Sequence, residues 1–243
     1  MNTYQTETYG ERIADVYDDW YAGYDDSAVT TLHELAQGGR VLELAIGTGR
    51  IALPLQRLGV EVHGVDASQA MVARLRAKPD GASLPVTMSN FADVPVEGPY
   101  SLIYIVFNTF FALLTQDEQV RCFRNVAGRL SPGGVFLIEA FVPDPSRFRG
   151  GQTVHAIQVG VDQARLEVTQ HDPVNQRVSS QQITFDEQGI RLFPVQLRYC
   201  WPAELDLMAQ LAGLRLKHRW GSWEKAPFSA QSGKHISVYA HGE

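Results

Sequence analysis

What this chain has little of narrows its chemistry first. Only two cysteines, Cys122 and Cys200, stand in 243 residues. They lie far apart and outside any C-x-x-C spacing, so neither a disulfide framework nor a thiolate metal site is expected, and a reducing cytoplasmic setting is. Long apolar runs are missing: the longest, near Leu102 to Phe107, is too short to span a bilayer. The stretch Met1 to Arg12 is polar and has no apolar signal core. Secretion and membrane insertion are therefore not expected. A basic excess is missing too, since 27 Asp plus Glu against 21 Lys plus Arg give a net charge of −6. That balance argues against a large nucleic-acid footprint and leaves room only for a local basic strip. The 7 histidines show no H-E-x-x-H or i, i+4 pairing, so no metal site is expected, and no G-x-S-x-G nucleophile elbow occurs. Repeats and low-complexity tracts are absent, and nothing in the pattern specifies an oligomeric state.

What remains is an ordinary globular composition, 44% hydrophobic, enough to bury a full core as one domain. Residues 7 to 37 read as two helical pieces, with Ile13, Val16, Tyr17 and Trp20 at helical spacing, ended by Gly38-Gly39. A βαβα rhythm follows: a strand over Arg40 to Leu44, a helix over Ile51 to Leu58, a strand over Val60 to Val65 and a helix over Ser68 to Lys78 capped by Ser68. Strands near Leu84 to Met88, Ser101 to Phe107 and Val135 to Ala140 continue it, with a helix over Gln116 to Leu130. The near-continuous apolar run Leu102 to Val106 suits a strand buried on both faces.

From Thr153 to Tyr199 the period changes to two, as in Arg165-Leu166-Glu167-Val168-Thr169, with turn signals at Asp172 to Asn175 and Asp186 to Gly189. This predicts an antiparallel annex inserted late in one fold. A helix over Pro202 to Ala212 and two strands return to the main sheet. The expected organisation is a single domain over 1–243: a helical lid over 1–37, a cofactor-binding core over 38–142, the annex over 150–200 and the return over 201–243.

The most informative stretch is Val41 to Arg50, an apolar strand running into the glycine turn Gly47-Thr48-Gly49, followed by a second strand ending at Val65-Asp66. Strand, glycine turn, helix and strand ending in an acid describe a nucleoside-binding half-site of an α/β sheet. Glu43 decides which nucleoside. A carboxylate beside the glycine turn repels a dinucleotide pyrophosphate and favours a cation. S-adenosylmethionine, with an ammonium on its methionyl end and a sulfonium sulfur, meets that demand.

Three stretches, Glu43 to Arg50, Gly64 to Ser68 and Leu130-Ser131-Pro132-Gly133-Gly134, together resemble class I S-adenosylmethionine-dependent methyltransferases over nearly the whole chain. The family's first motif has three glycines, and here Ala45 replaces the first. The resemblance implies a Rossmann-like, mostly parallel seven-stranded sheet with helices on both faces, one antiparallel strand, and S-adenosylmethionine as cofactor. It further implies that Gly47, Thr48 and Gly49 let the backbone approach the methionine and sugar, and that Glu43 holds the ammonium. Asp66 would accept from the ribose hydroxyls. Ala67 and Met71 would flank the adenine, with Asn90 and Phe91 at its amino group, Asp93 being the competitor of Asn90. Phe107 and Asn108 would line the transferable methyl. The segment Tyr9 to Tyr21 resembles the lid helix of small-molecule members, including amino-sugar N-methyltransferases with an inserted antiparallel sheet, and makes Tyr9 and Tyr17 lid residues able to face a sulfonium.

The expected reaction is in-line transfer of a methyl group to nitrogen or oxygen of a small-molecule acceptor. Alignment and desolvation supply most of its rate, and His155 and His171 in the annex are the candidate bases. Two other readings of the same residues are a NAD(P)-dependent oxidoreductase, since Gly47-x-Gly49-x-x-Ala52 also satisfies a loose dinucleotide fingerprint, and a non-catalytic nucleoside-binding module.

Overall fold

The computed structural model describes residues 3–242. Met1, Asn2 and Glu243, which fall in the expected lid and return segments, lie outside the described residues. In chain order the elements are α1 (Thr8–Ile13), α2 (Tyr17–Trp20), α3 (Asp26–Ala36), β1 (Val41–Leu44), α4 (Ala52–Arg57), β2 (Val62–Asp66), α5 (Gln69–Arg76) and β3 (Val86–Met88). Then come β4 (Tyr100–Ile105), α6 (Gln116–Ala127), β5 (Leu130–Phe141), β6 (Gln152–Val159), β7 (Gln163–Asp172), β8 (Arg177–Asp186), β9 (Gly189–Arg198), α7 (Pro202–Leu211), β10 (Leu214–Trp220) and β11 (Lys234–His241).

Seven strands form one sheet in the order β10-β11-β5-β4-β1-β2-β3. β1 pairs in parallel with both β2 and β4, and β11 alone runs antiparallel to its neighbours β5 and β10. Strand alternation sorts the core onto two faces. Leu42, Ile103 and Phe136 meet Phe123 of α6 and Leu205 of α7 in one cluster, while Val41, Leu102 and Leu137 meet Leu32 of α3 and Leu53 of α4 in the other. The chain leaves β1 toward β2 on one side and returns through β4 on the other. The carboxyl end of β1 is therefore the switch point of the sheet, where such folds open a crevice.

The N-terminal region divides into three helices rather than two. The helix breaks at Ala14 to Val16, so α1 lies along α5 while α2 turns Asp18 onto the glycine turn. Strands β6 to β9 form a separate antiparallel sheet in sequence order, between β5 and α7 in the chain. The expected strand Val135 to Ala140 is longer, Leu130–Phe141, because pairing with β4 starts already at Leu130 opposite Tyr100. Conversely, the helix before it stops at Ala127. Among the described residues no helix is long and apolar enough to cross a membrane.

Candidate active site

A cavity of about 300 Å³ opens at the carboxyl ends of β1, β2 and β4, under α1 and α2, and runs on to Glu167, Ser180, Gln182 and Gln196 of β7 to β9. Tyr9, Tyr17, Tyr21, Arg50, Phe107 and Asn108 also border an adjoining chamber of about 410 Å³ that ends at Glu139, Phe141 and Lys234.

Glycine chemistry shapes the inner wall. Ala45, Gly47 and Gly49 all take left-handed backbone, with φ of +57°, +56° and +75°, so the chain bends sharply between β1 and α4. Gly47 borders the cavity, and a Cβ there would come within 3.2 Å of Met71 Cε. Gly49 faces the other way: its missing Cβ makes room for Leu75 and Leu53, which would otherwise stand 2.4 and 3.1 Å from it. The expected approach of a ligand to Gly49 is thus replaced by helix packing, and Gly49 does not border the cavity. Thr48 does border it, but its hydroxyl donates to Asp18 Oδ1 at 2.7 Å.

Two carboxyl groups sit beneath this bend. Glu43, 4% exposed, accepts from the Tyr104 hydroxyl at 2.8 Å. Burial, aided by the nearby Asp66 charge and opposed by the Tyr104 hydrogen bond, pushes its pKa up to about 8. Asp66, at the end of β2, accepts from the backbone N–H of Gly47 at 2.7 Å and of Ser68 at 2.8 Å. Desolvation nevertheless raises its pKa, against those hydrogen bonds. The Ser68 hydroxyl accepts from Met71 N–H and caps α5. Gly47 N–H, a donor that a pyrophosphate would use, is thereby engaged by a carboxylate. Among the described residues, the ionisable groups bordering the cavity are the acids Glu7, Glu43, Asp66 and Glu167 and one cation, Arg50. Such a set suits a ligand with a cationic centre and a diol and disfavours phosphates.

Ala67, Met71, Phe91, Phe107, Asn108, Tyr9 and Tyr17 all border the cavity. Asn90 does not: its Oδ1 accepts from Ala92 N–H at 2.9 Å, which holds the loop after β3. Its competitor Asp93 pairs with Arg121. The two histidines are not brought to the cavity either. His155 lies on β6 beside Glu167 at 3.6 Å. His171 bonds the Tyr199 hydroxyl at 2.9 Å and stacks on Phe148. His155, on the edge strand β6, stands opposite Glu167 on the same sheet face but one strand farther from the cavity, while His171 is committed to its aromatic neighbours.

Several bordering residues were not foreseen. Arg50 follows the glycine turn directly, and its guanidinium lies 4.0 Å from the Phe107 ring while Nε donates to Gly23 O. Tyr4, Tyr21 and the annex side chains become neighbours only through the tertiary fold. A lone acid within the apolar run Val135 to Phe141 was the readable signal for Glu139.

A family of methyltransferase domains matches residues 41–134. The chain is 43% identical to the CcbJ methyltransferase of Streptomyces caelestis, whose solved structure superposes with a TM-score of 0.91 over 99% of this chain and 100% of that one. It is 28% identical to a cypemycin N-terminal methyltransferase of Streptomyces sp over 85% of this chain and 84% of the relative. It is also 27% identical to a dTDP-4-amino-2,3,4,6-tetradeoxy-D-glucose N,N-dimethyltransferase of Saccharopolyspora spinosa over 63% of each. The buried acids around the bend and these likenesses agree: the chain belongs to the S-adenosylmethionine-dependent methyltransferases and uses S-adenosylmethionine as its cofactor.

Proposed function

We propose that this enzyme methylates a nitrogen of a small amine acceptor that enters between the tyrosine-lined lid and the annex. The observation that carries the reading is one continuous cavity, acidic at both ends, reaching from Glu43 and Asp66 to Glu167 and Gln182. Gln182 borders this wall, and its buried Oε1 has no hydrogen-bond partner, an unused acceptor beside the space that a ligand bringing N–H or O–H donors would fill. The tetradeoxyglucose relative carries N,N-dimethyl transfer in its name, and the cypemycin relative is named for methylation at an N-terminus. They support nitrogen over oxygen.

In this reading Asp66 receives the ribose hydroxyls and Glu43 the ammonium, directly or through water, while Arg50 faces the carboxylate. Ala67, Met71 and Phe91 enclose the adenine. Bound S-adenosylmethionine supplies a methyl already activated by its sulfonium. The protein orients that methyl and excludes water with Tyr9, Tyr17, Phe107 and Asn108, so the acceptor nitrogen forms its new bond to carbon as the carbon–sulfur bond breaks. The amine proton is released and S-adenosylhomocysteine is left.

Titration with S-adenosylhomocysteine tests the cofactor half. Asp66→Ala should weaken binding by about 1–3 kcal/mol, since unpaired hydroxyl donors are left behind. An unchanged affinity removes Asp66 from the site. A library of small amines and matched alcohols, followed by S-adenosylhomocysteine release and by locating the new methyl group, tests the acceptor half. Methylation confined to the alcohols overturns it.

A further inference from the structure

The loop after β4 holds a backbone that its side chains disfavour. Phe107 and Asn108 are consecutive and both left-handed, with φ of +58° and +66°, a conformation open to glycine and tolerated by asparagine but strained for phenylalanine. Strain of this kind persists only where the surroundings over-determine it, and it gathers at sites that work. Here the surroundings converge on one group. Glu139, 6% exposed near the end of β5, accepts from Phe107 N–H through Oε2 at 3.0 Å. Its other oxygen accepts from Trp223 Nε1 at 3.1 Å and from Lys234 Nζ at 2.9 Å. Asn108 N–H donates to the Glu139 carbonyl at 3.2 Å, and Asn108 Oδ1 accepts from Phe141 N–H at 2.7 Å.

A buried carboxylate in a strand next to the sheet centre is unfavourable unless its lone pairs are met. These three donors come from three separate segments, the loop after β4, the connection between β10 and β11, and the start of β11. On its far side Phe107 is bracketed by the Arg50 guanidinium from the glycine turn. Glu139 thus ties the strained pair to the rigid centre of the sheet, and Arg50 ties the same pair to the cofactor bend.

We infer that Glu139 is a positioning residue for methyl transfer: through Phe107 N–H it holds the Phe107-Asn108 bend in the orientation that aims both side chains at the transferable methyl. The inference rests on the reading above that this methyl lies beside Phe107. The other role for such a group is purely structural, an anchor for the Trp223 segment with no bearing on the methyl.

S-adenosylmethionine carrying a ¹³C-methyl, bound to the full-length protein, separates the two. Phe107→Leu removes the ring and should move the bound methyl resonance; if it does not, the placement of the methyl fails and the inference loses its footing. Where Phe107→Leu moves the signal, Glu139→Gln should move it too, while affinity for S-adenosylhomocysteine stays within about threefold of the parent. Glu139→Asp, which keeps the charge but withdraws it by one methylene, reports the same shift should the amide variant not fold. A methyl resonance unmoved in both Glu139 variants, with only the melting temperature lowered, makes the residue an anchor and overturns the inference. So does a loss of affinity of about tenfold or more, which would place Glu139 in cofactor binding at large.

Discussion

Ala45 stands where the family resemblance implies glycine, and its φ of +57° shows what an alanine there costs. Left-handed backbone is unfavourable by about 1–2 kcal/mol for a residue with a Cβ, while glycine in the unfolded chain is more flexible by part of that amount. Ala45→Gly should therefore stabilise the protein by roughly 0.5–1 kcal/mol and raise Tm by about 1–4 °C in calorimetry. An unchanged or lower Tm would mean that the alanine methyl packs well enough to offset the strain.

Glu43 carries the residue-scale pH dependence. Its folded pKa of about 8 lies above the ordinary 4.5, so its contribution to stability is full below pH 4.5 and is lost as pH rises toward 8. A bound ammonium favours the ionised carboxylate. Binding of S-adenosylhomocysteine should then expel a proton from Glu43 below pH 8, and affinity should rise between pH 6 and 7.5. Calorimetry in two buffers of different ionisation enthalpy measures the released proton. Glu43→Gln should abolish both the release and the slope, and a slope that survives would assign the titration elsewhere. The acid was readable beside the glycine turn; its burial under Tyr104, which sets its pKa, was not, because that ring comes from a strand 61 residues later.

At the scale of elements, α1 and α2, the proposed lid, are held by two acids. Glu11 on α1 accepts from the Ser68 hydroxyl at 2.8 Å and from Ala70 N–H at 3.0 Å, at the N-terminus of α5. Asp18 on α2 accepts from the Thr48 hydroxyl and from Lys78 Nζ. An anion at a helix N-terminus is favoured by the unpaired N–H groups there. The hydrogen bond from Ala70 N–H, ahead of partial desolvation in the other direction, holds the Glu11 pKa below its usual range. The attachment is therefore present above the ordinary pKa of 4.5 and lost as pH falls through the lowered folded value. Glu11→Gln should free α1, seen as faster amide exchange over Thr8–Ile13 and a several-fold faster release of S-adenosylhomocysteine. Unaltered exchange would show that apolar packing of Ile13 holds the lid alone. Helical spacing at Ile13, Val16 and Tyr17 made the N-terminal helices legible, while their reading as a lid rested on the resemblance. The break between α1 and α2 was not, since it follows from where α5 and the glycine turn lie.

At the scale of the molecule, Arg198 joins the annex to the main body. Buried at the end of β9, it donates to Glu204 of α7 and Gln176 at 2.8 and 2.9 Å, and also to Gln119 of α6. Removing one partner of a buried pair leaves the other charge uncompensated, at a cost of about 3–5 kcal/mol. Arg198→Ala should lower Tm by roughly 6–20 °C, with exchange increasing first in β8 and β9. A drop confined to about 1 °C would mean that the Glu204 carboxylate finds water instead.

Periodicity and order determined much on their own. The apolar runs, the glycine turn and the acids Glu43 and Asp66 specified a switch-point crevice for a cationic nucleoside, because strand and helix periods and local turn chemistry are properties of neighbouring residues. The period-two stretch likewise announced the annex. Only the tertiary structure decided which polar groups face the crevice. It turned Gly49 into the core, spent the Asn90 amide on its own loop, left His155 and His171 outside, and brought Arg50, Glu139, Glu167 and Gln182 to the edges of the two chambers. Apart from the local turn at Asn90, those outcomes depend on contacts between segments distant in the chain, where closure of the chain rather than local preference selects the neighbour.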